Sequence, residues 1–372
     1  ELGLTYTRPL APRWILETRA MYSFENFDNA STSDETLNGA ANPQQRFTAD
    51  GDDSESILRG LLRHDYNKAI TIEAGAEVAY NMLDVKQAYS VGGTPVPLPS
   101  ASVKVEELRG EAFTKATWRV NPKLTLEGGL RLEKSTIKQS GDATHKESLF
   151  YAKPRFQATW TPKANHQLRV HFERELGQLD FSDFAASADF DEGGNVYGGN
   201  VDLVPEQRWI SEVTYERRFW GEGIVSVGYR HDEIIDVIDR LPLPDGLSAT
   251  GNIGNATLDR LSLNIVVPLD KLRFPGGRFT FKNDWNETHV TDPTTGLRHR
   301  RRAALAVDQR AAEAVARRRQ DGRSAALAPG DLAIAALRQA PADRQRAARP
   351  RQGAVFGGIG HQHRPRAIHP EQ

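Results

Sequence analysis

Strict alternation of apolar and polar residues constrains the fold of this chain more than any other feature. Between Glu107 and Val120 the odd positions are mostly charged, whereas the even positions are mostly apolar and include Leu108 and Trp118. Successive side chains of a β-strand point to opposite faces, so a period of two predicts a strand with one charged face and one apolar face. The alternation resumes at Leu124, directly after a short polar link.

About eleven segments of the first 297 residues follow this rule, and most of them are 11 residues long or longer. They are 12–25, 55–65, 69–90, 103–119, 124–136, 148–160, 167–177, 207–219, 223–238, 256–267 and 278–290. Strands of soluble proteins usually have about 5–6 residues, whereas a tilted membrane-spanning strand needs about 9–11. The lengths therefore favour strands that cross a membrane.

The connections between these segments alternate between short and long. Short links such as Tyr66-Asn67-Lys68 and Trp220-Gly221-Glu222 alternate with long stretches rich in Gly, Asp, Ser and Asn, namely 26–54, 91–102, 137–147, 178–206 and 239–255. Barrels of the bacterial outer membrane have tight periplasmic turns and long extracellular loops. We therefore expect an antiparallel transmembrane β-barrel in the outer membrane of a Gram-negative bacterium.

Composition excludes several other classes. The longest apolar run is Leu332–Leu337, far shorter than the roughly 20 residues that a membrane-spanning helix needs. The chain contains no cysteine, which excludes disulfides, thiolate catalysis and cysteine-based metal sites. It begins Glu-Leu-Gly-Leu without an initiator Met, and we expect a fragment of a longer protein.

The chain changes character near Leu297. Residues 1–297 hold 12 Lys and 20 Arg against 43 acidic residues, which gives 32 − 43 = −11, whereas residues 298–372 hold 16 Arg, no Lys and 6 acidic residues, which gives 16 − 6 = +10. The second part also contains 19 Ala and a single aromatic residue, Phe356. We expect a barrel domain at 1–297, followed by a disordered or partly helical Ala/Arg-rich tail at 298–372. A shifted reading frame in GC-rich DNA explains the tail's composition better than a nucleic-acid-binding role does, since it has no zinc-ligand spacing or RNA-binding aromatics.

The sequence resembles one known family. Gly199-Asn200-Val201-Asp202-Leu203-Val204-Pro205-Glu206 is similar to the GN-x-x-L-x-P-E segment that precedes a late barrel strand in TonB-dependent receptors. Tyr151-Ala152-Lys153-Pro154-Arg155 and Gly128-Gly129-Leu130-Arg131-Leu132-Glu133 also resemble barrel segments of that family. The resemblance covers residues 1–297.

The resemblance implies energised uptake of a scarce nutrient such as a ferric siderophore, cobalamin or a glycan. The implied partners are outer-membrane lipid, the TonB energy-transducing complex acting through a plug domain, and a small nutrient or metal-chelate ligand. No nucleic-acid partner and no cofactor are expected. Transporters of this kind have 22 strands around a plug, so about eleven strands without a plug predict a partial barrel that does not transport on its own.

Several residue clusters are candidate sites, each with a plainer interpretation. His171, Glu173 and Glu175 share one strand face and resemble a metal site, although polar lining of a barrel interior explains them more simply. The acidic residues of loop 178–206 suggest Ca²⁺, but the ligand spacing of a calcium loop is missing; they are Asp180, Asp183, Asp189, Asp191 and Glu192. Gly193-Gly194-Asn195 and Gly198-Gly199-Asn200 fit flexible loop better than a phosphate cradle.

Ligand contact is expected from the loops 26–54, 178–206 and 239–255, whose aromatic residues include Phe181, Phe184, Phe190 and Tyr197. His361 and His363 lie in the suspect tail and are discounted. No residue is assigned a catalytic, metal or cofactor role, and no Gly-x-Ser-x-Gly elbow points to an enzyme. Two alternatives stay open: a passive porin-like or structural barrel, and a soluble β-repeat binding protein.

Overall fold

The computed structural model describes residues 1–37, 40–190, 195–242, 247–274, 276–291 and 296–304. Within these ranges, thirteen strands follow one another along the path of a single sheet. They are β1 Leu2–Ala11, β2 Trp14–Ser33, β3 Gln45–His64, β4 Ile70–Val91, β5 Ser102–Asn121, β6 Leu124–Gly141, β7 His145–Lys163, β8 His166–Leu176, β9 Gln207–Phe219, β10 Gly223–Ile235, β11 Ala256–Pro268, β12 Arg278–Thr291 and β13 Arg298–Ala304.

Each strand pairs antiparallel with the next strand in the chain, which makes the sheet a continuous meander. The short strand Thr94–Val96 adds to the side of β4. Within the described residues β1 and β13 are the two edges of this path. The expected all-β antiparallel architecture is confirmed, and all eleven predicted segments are strands of the sheet.

The two ends of the sheet differ in how the strands are connected. One end of the strands, which we call the short-turn edge, carries short turns such as the Pro12-Arg13 link and the Pro122-Lys123 link. The opposite end, which we call the long-loop edge, carries the long connections, of which 177–206 and 236–255 are the largest. Short and long connections therefore alternate along most of the sheet, and the exception is the three-residue link 142–144 between β6 and β7, which lies at the same end as the long connections.

Strand height divides the sheet into two parts. Strands β2 to β7 have 18 to 22 residues, whereas β8 to β12 have 11 to 14. The expected loops 26–54 and 137–147 were wrong in extent, because β2 runs on to Ser33, β3 begins at Gln45, and β6 and β7 leave only 142–144 between them. These upper strand ends carry polar residues on the face that is apolar lower down, so the apolar–polar alternation disappears although the ladder continues.

Two strands lie outside the predicted segments. Leu2–Ala11 pairs with β2, and Arg298–Ala304 pairs with β12 beyond the change of composition at Leu297. Seven residues that were assigned to the tail therefore extend the sheet. The rest of the expected tail, 305–372, lies outside the described residues.

The two faces of the sheet have opposite polarity. Positions such as Glu107, Glu111 and Glu133 are buried on one face, which is also the face that the long loop 177–206 covers, and we call it the inner face. The other face, the outer face, exposes large apolar side chains, among them Leu108 and Trp118. Charged residues are thus buried and apolar residues exposed, the reverse of a soluble sheet.

In the part of the chain that the structure describes, helical structure is sparse. Two single-turn 3₁₀ helices, Phe181–Phe184 and Leu269–Leu272, lie in connections between strands. Among the described residues no helix is long and apolar enough to cross a membrane.

Gly75 allows close packing on the inner face between β3, β4 and β5. A Cβ atom at this position would lie 2.2 Å from the Gly60 carbonyl oxygen and 2.5 Å from Cζ of Phe113. The Phe113 ring occupies this space, and the guanidinium carbons of Arg59 and Arg131 lie 4.6 and 5.4 Å from its centroid. The missing side chain therefore permits cation–π contacts of Arg59 and Arg131 with the Phe113 ring.

We predict that Gly75→Ala lowers the free energy of unfolding by about 1–3 kcal/mol, because the added methyl group collides with backbone that cannot easily move. Gly60→Ala is the matched control, since a Cβ at Gly60 has no atom within 4 Å. Urea titration of the full chain in lipid vesicles measures both variants. Equal unfolding midpoints for the two variants would contradict the close approach at Gly75.

Candidate functional site: a capped inner face

The two longest connections fold together into one structure, which we call the cap. The cap consists of the described parts of 177–206 and 236–255. Its four short strands are Ser187–Asp189, Asn195–Tyr197, Ile238–Pro242 and Ser248–Asn252. Tyr197 pairs in parallel with Ser248, so the two connections share one small sheet.

The cap packs on the inner face through apolar contacts. Near the long-loop edge the inner positions of β4, β5 and β6 become apolar, and the cap covers them with buried residues of its own. This cluster contains Leu83, Val85, Val103, Val105, Ile137, Phe184, Ala185 and Leu203. Burial of apolar side chains stabilises such contacts by about 1.5–3 kcal/mol for each large residue, so the cap is held firmly to the wall.

The glycine–asparagine motif anchors the cap. A Cβ at Gly199 would lie 2.2 Å from the Phe184 carbonyl oxygen, so only glycine fits there. The Asn200 side chain donates from Nδ2 to the Thr250 carbonyl oxygen at 3.0 Å and accepts at Oδ1 from the Asp202 amide at 3.0 Å. Leu203 is 1% exposed. The motif that carries the family resemblance therefore has a structural role in joining the two connections.

Asn252 completes the join from the other connection. Its Oδ1 accepts from the Val204 amide at 2.9 Å, and its Nδ2 donates to the carbonyl oxygens of Val204 at 2.9 Å and Asp236 at 2.8 Å. One side chain thus satisfies three backbone groups that the loops would otherwise leave without partners. Sequence analysis missed this residue, because its partners lie 16 and 48 positions away along the chain.

Below the cap the inner face carries a network of ion pairs. Lys153 Nζ lies 2.7 Å from Glu111 Oε2 and 2.6 Å from Glu133 Oε2, and Arg131 Nη1 lies 2.9 Å from Glu111 Oε1. Both glutamates are buried, so each needs these cations to offset the loss of hydration. The network joins strands β5, β6 and β7 on the polar side of the wall.

The histidine and glutamates of β8 lie on the inner face as part of this polar lining. His171 Nε2 is 2.9 Å from Glu173 Oε2, which lies 3.6 Å from Arg155 Nε, while Glu175 does not join them. Among the described residues no group of three or more His, Cys, Asp or Glu side chains is arranged to hold a metal ion. His171 and Glu173 thus form a hydrogen-bonded pair on the inner face of the wall.

The acidic residues of loop 178–206 make local structural contacts. Asp180 Oδ1 accepts from the amide and the hydroxyl of Ser182, which begins the 3₁₀ turn, and Asp183 Oδ1 accepts from the Thr250 hydroxyl at 2.8 Å. Asp189 pairs through its backbone with Asn195. Asp191, Glu192, Gly193 and Gly194 lie outside the described residues, as do His361 and His363.

Burial of Asp183 raises the pKa of its carboxyl above the ordinary value. The hydrogen bond from Thr250 acts in the opposite direction, the Asp180 carboxylate raises the pKa further, and Arg240 lowers it. The net shift is upward, so the protonated form of Asp183 is favoured in the folded cap relative to the unfolded chain.

The four loop aromatics have different environments. Phe184 is buried in the core of the cap and meets Phe181 edge to face, with ring centroids 6.2 Å apart. The ring centroid of Phe190 lies 6.5 Å from that of Tyr89 in β4. Tyr197 is half-buried beneath the exposed Arg240, whose guanidinium carbon is 3.4 Å from the ring centroid. Phe184 is therefore a packing residue, whereas Tyr197 and Arg240 form a cation–π stack on the cap with the arginine exposed.

A family model described as "TonB dependent receptor-like, beta-barrel" matches residues 1–315 of the sequence. No curated protein matches it.

Solved structures of outer-membrane receptors have the same fold. The ferric-catecholate import receptor Fiu from E. coli K12 has a TM-score of 0.53 at 10% identity, over 78% of this chain and 51% of that one. The ferric yersiniabactin uptake receptor FyuA from Yersinia pestis gives 0.54 at 12% identity, over 78% and 42%. The pyoverdine receptor FpvA from Pseudomonas aeruginosa PAO1 gives 0.58 at 13% identity, over 80% and 44%. The chain spans about half or less of the length of each.

We predict that Asn252→Ala loosens the cap, because the Val204 amide and the carbonyl oxygens of Val204 and Asp236 lose their partner. Hydrogen exchange of the Val204 amide should become roughly fivefold faster or more, as expected for about 1–3 kcal/mol per buried group left unpaired. Asn26→Ala is the control, since that side chain bonds only the exposed Asp52 across β2 and β3. Unchanged exchange at Val204 in the Asn252 variant would refute the role of this side chain.

We predict that the cap becomes less stable as pH rises through the folded-state pKa of Asp183. A carboxyl whose folded pKa is raised contributes its full stabilisation below the unfolded pKa and loses it above the folded one. Asp183→Asn keeps an oxygen that accepts from Thr250 and cannot ionise, so its cap should lack this pH dependence. Hydrogen exchange at Ala185, corrected for intrinsic rates and measured from acid to neutral pH, compares the two proteins; parallel profiles would contradict the assignment.

Proposed function

The chain belongs to the family of TonB-dependent receptor-like β-barrels. From that premise we propose that it forms part of the barrel wall of an outer-membrane receptor. The proposed receptor takes up a scarce nutrient, such as a ferric siderophore. The observation that carries the proposal is the reversed polarity of the sheet. Apolar side chains cover its outer face, and charged side chains line its inner face beneath a cap.

The outer face fits a lipid environment. Its exposed apolar residues include Leu108 at 56% and Phe150 at 65%, and they recur on every strand from β3 to β12. A soluble protein rarely exposes so extensive an apolar surface, whereas a membrane barrel requires an apolar band about 25 Å tall. The strands are long enough for this band, since about 9–11 tilted residues cross a bilayer.

The inner face and cap fit a route for a polar ligand. The cap lies at the long-loop edge, the extracellular edge in outer-membrane barrels. It presents the Tyr197–Arg240 stack, which combines an aromatic ring with a fixed positive charge. Such a pair suits an anionic, partly aromatic chelate, since the guanidinium binds oxyanions and the ring supplies apolar contact. We propose Tyr197 and Arg240 as ligand-contacting residues.

The proposed partners follow from the family. Fiu, FyuA and FpvA are receptors for ferric or siderophore ligands, and we extend ligands of that class to this chain. We also propose that in the intact protein the TonB complex drives uptake through a plug segment. The proposed activity is transport, without a catalytic step.

We predict that deletion of the gene abolishes energy-dependent uptake of one ferric chelate by the source bacterium. Radioactive iron loaded on a panel of siderophores, with and without a protonophore, measures this uptake. Restoration by the wild-type gene and loss with protonophore support the receptor. Uptake that persists with protonophore indicates a passive barrel, and recovery of the protein in the soluble fraction indicates a soluble binding protein.

The same assay tests the cap residues. Arg240→Ala should weaken uptake at limiting chelate concentration, whereas Arg278→Ala, an exposed arginine at the short-turn edge, should leave it unchanged. Equal uptake by the two variants would remove Arg240 from the ligand surface while leaving the receptor proposal intact.

A further inference from the structure

Three lysines form a basic patch on the outer face of β6 and β7. Lys134 and Lys138 of β6 and Lys146 of β7 are all exposed, and their strand positions share the outward parity of Leu132 and Phe150. Lys138 and Lys146 are direct cross-strand partners in the ladder. Like charges directly opposite each other on neighbouring strands destabilise a sheet, so a bound anion would stabilise this pair.

The neighbouring carboxylate of Glu106 offsets only part of this positive charge. Glu106 of β5 lies opposite Lys138, but its Oε1 accepts from the Tyr80 hydroxyl at 2.6 Å and lies 3.4 Å from Lys104 Nζ. Within the described part of the chain, no carboxylate comes within 4.0 Å of the ammonium groups of Lys134, Lys138 or Lys146. The patch therefore keeps an excess of positive charge.

The patch begins where the apolar band ends. Along β6 and β7 the outward pairs are Leu132 with Ala152, Lys134 with Phe150, Thr136 with Ser148, and Lys138 with Lys146. Phe150, 65% exposed, thus stands beside Lys134, and the Thr136 and Ser148 hydroxyls, 3.4 Å apart, lie between the lysines. A bound molecule would meet apolar surface below and ammonium and hydroxyl donors above.

We propose that Lys134, Lys138 and Lys146, with the hydroxyls of Thr136 and Ser148, form a docking site for lipid headgroups that carry anionic phosphate. Ammonium and hydroxyl groups bind phosphate oxygens, and the adjoining Leu132 and Phe150 are placed to contact the acyl chains of the same molecule. This continuity with the apolar band favours a membrane lipid over a soluble anion. The inference rests on the proposed function, because it requires the outer face to lie in a membrane.

Flotation of the full chain with lipid vesicles tests the site. Vesicles of phosphatidylcholine alone are compared with vesicles that also contain phosphatidylglycerol, at low ionic strength. We expect wild-type protein to bind the anionic vesicles more tightly, and K134Q/K138Q/K146Q to lose about fivefold in affinity for each lysine removed. The control K68Q/K123Q/K163Q removes the same charge at the short-turn edge and should retain wild-type affinity.

The outcomes separate this proposal from the proposed function. If wild type and both variants bind phosphatidylcholine vesicles, yet the K134Q/K138Q/K146Q protein shows the same preference for phosphatidylglycerol as wild type, the lipid site is overturned and the membrane assignment stands. If wild type floats with neither vesicle, both fail together. Competition by inorganic phosphate that removes all vesicle binding identifies a soluble-anion site and also overturns the proposal. The variant K134R/K138R/K146R keeps the positive charge and should bind the anionic vesicles as the wild type does. If it also loses binding, misfolding rather than loss of charge explains the effect, and the lipid site is overturned.

Discussion

The backbone ladder between successive antiparallel strands is the constraint on which the rest of the structure depends. Each strand from β2 to β12 forms a hydrogen-bonded ladder with the strand on either side, although the upper parts of β2 and β7 extend beyond the shorter β1 and β8. Unpaired backbone groups cost several kcal/mol each in a hydrocarbon environment, so only a continuous ladder permits exposed residues such as Leu108 and Trp118 to face lipid. The side chains then determine the polarity of the face that the ladder leaves exposed.

Height along the strands divides the wall into two chemical zones. In the lower zone the inner face holds compensated charges, with Lys153 shared between Glu111 and Glu133. In the upper zone of the tall strands the inner face turns apolar at Val103 and Val105 and accepts the cap. The change of inner polarity explains why the two longest connections pack against the inner face of the wall instead of extending into solvent.

The outer face changes in the opposite order. It is apolar in the lower zone and charged in the upper zone, where Lys138 and Lys146 oppose each other above Phe150. The two faces therefore exchange character at about the same height, the level at which a bilayer would give way to its headgroups. A membrane would account for the change on the outer face, because the environment outside the sheet changes from hydrocarbon to phosphate and water at that level, whereas packing against the cap accounts for the change on the inner face.

The sequence by itself determined the fold class, the strand order and the polarity of each face, because period-two alternation is a local property wherever one face meets lipid. It did not reveal the upper parts of β2, β3 and β6, where both faces are polar and only cross-strand hydrogen bonds maintain the strand. It also marked Gly199 and Asn200 as a motif without revealing what they hold. That was decided by tertiary structure, since Asn200 and Asn252 bind backbone groups that lie up to 50 residues away, and such pairings depend on how loops meet in space.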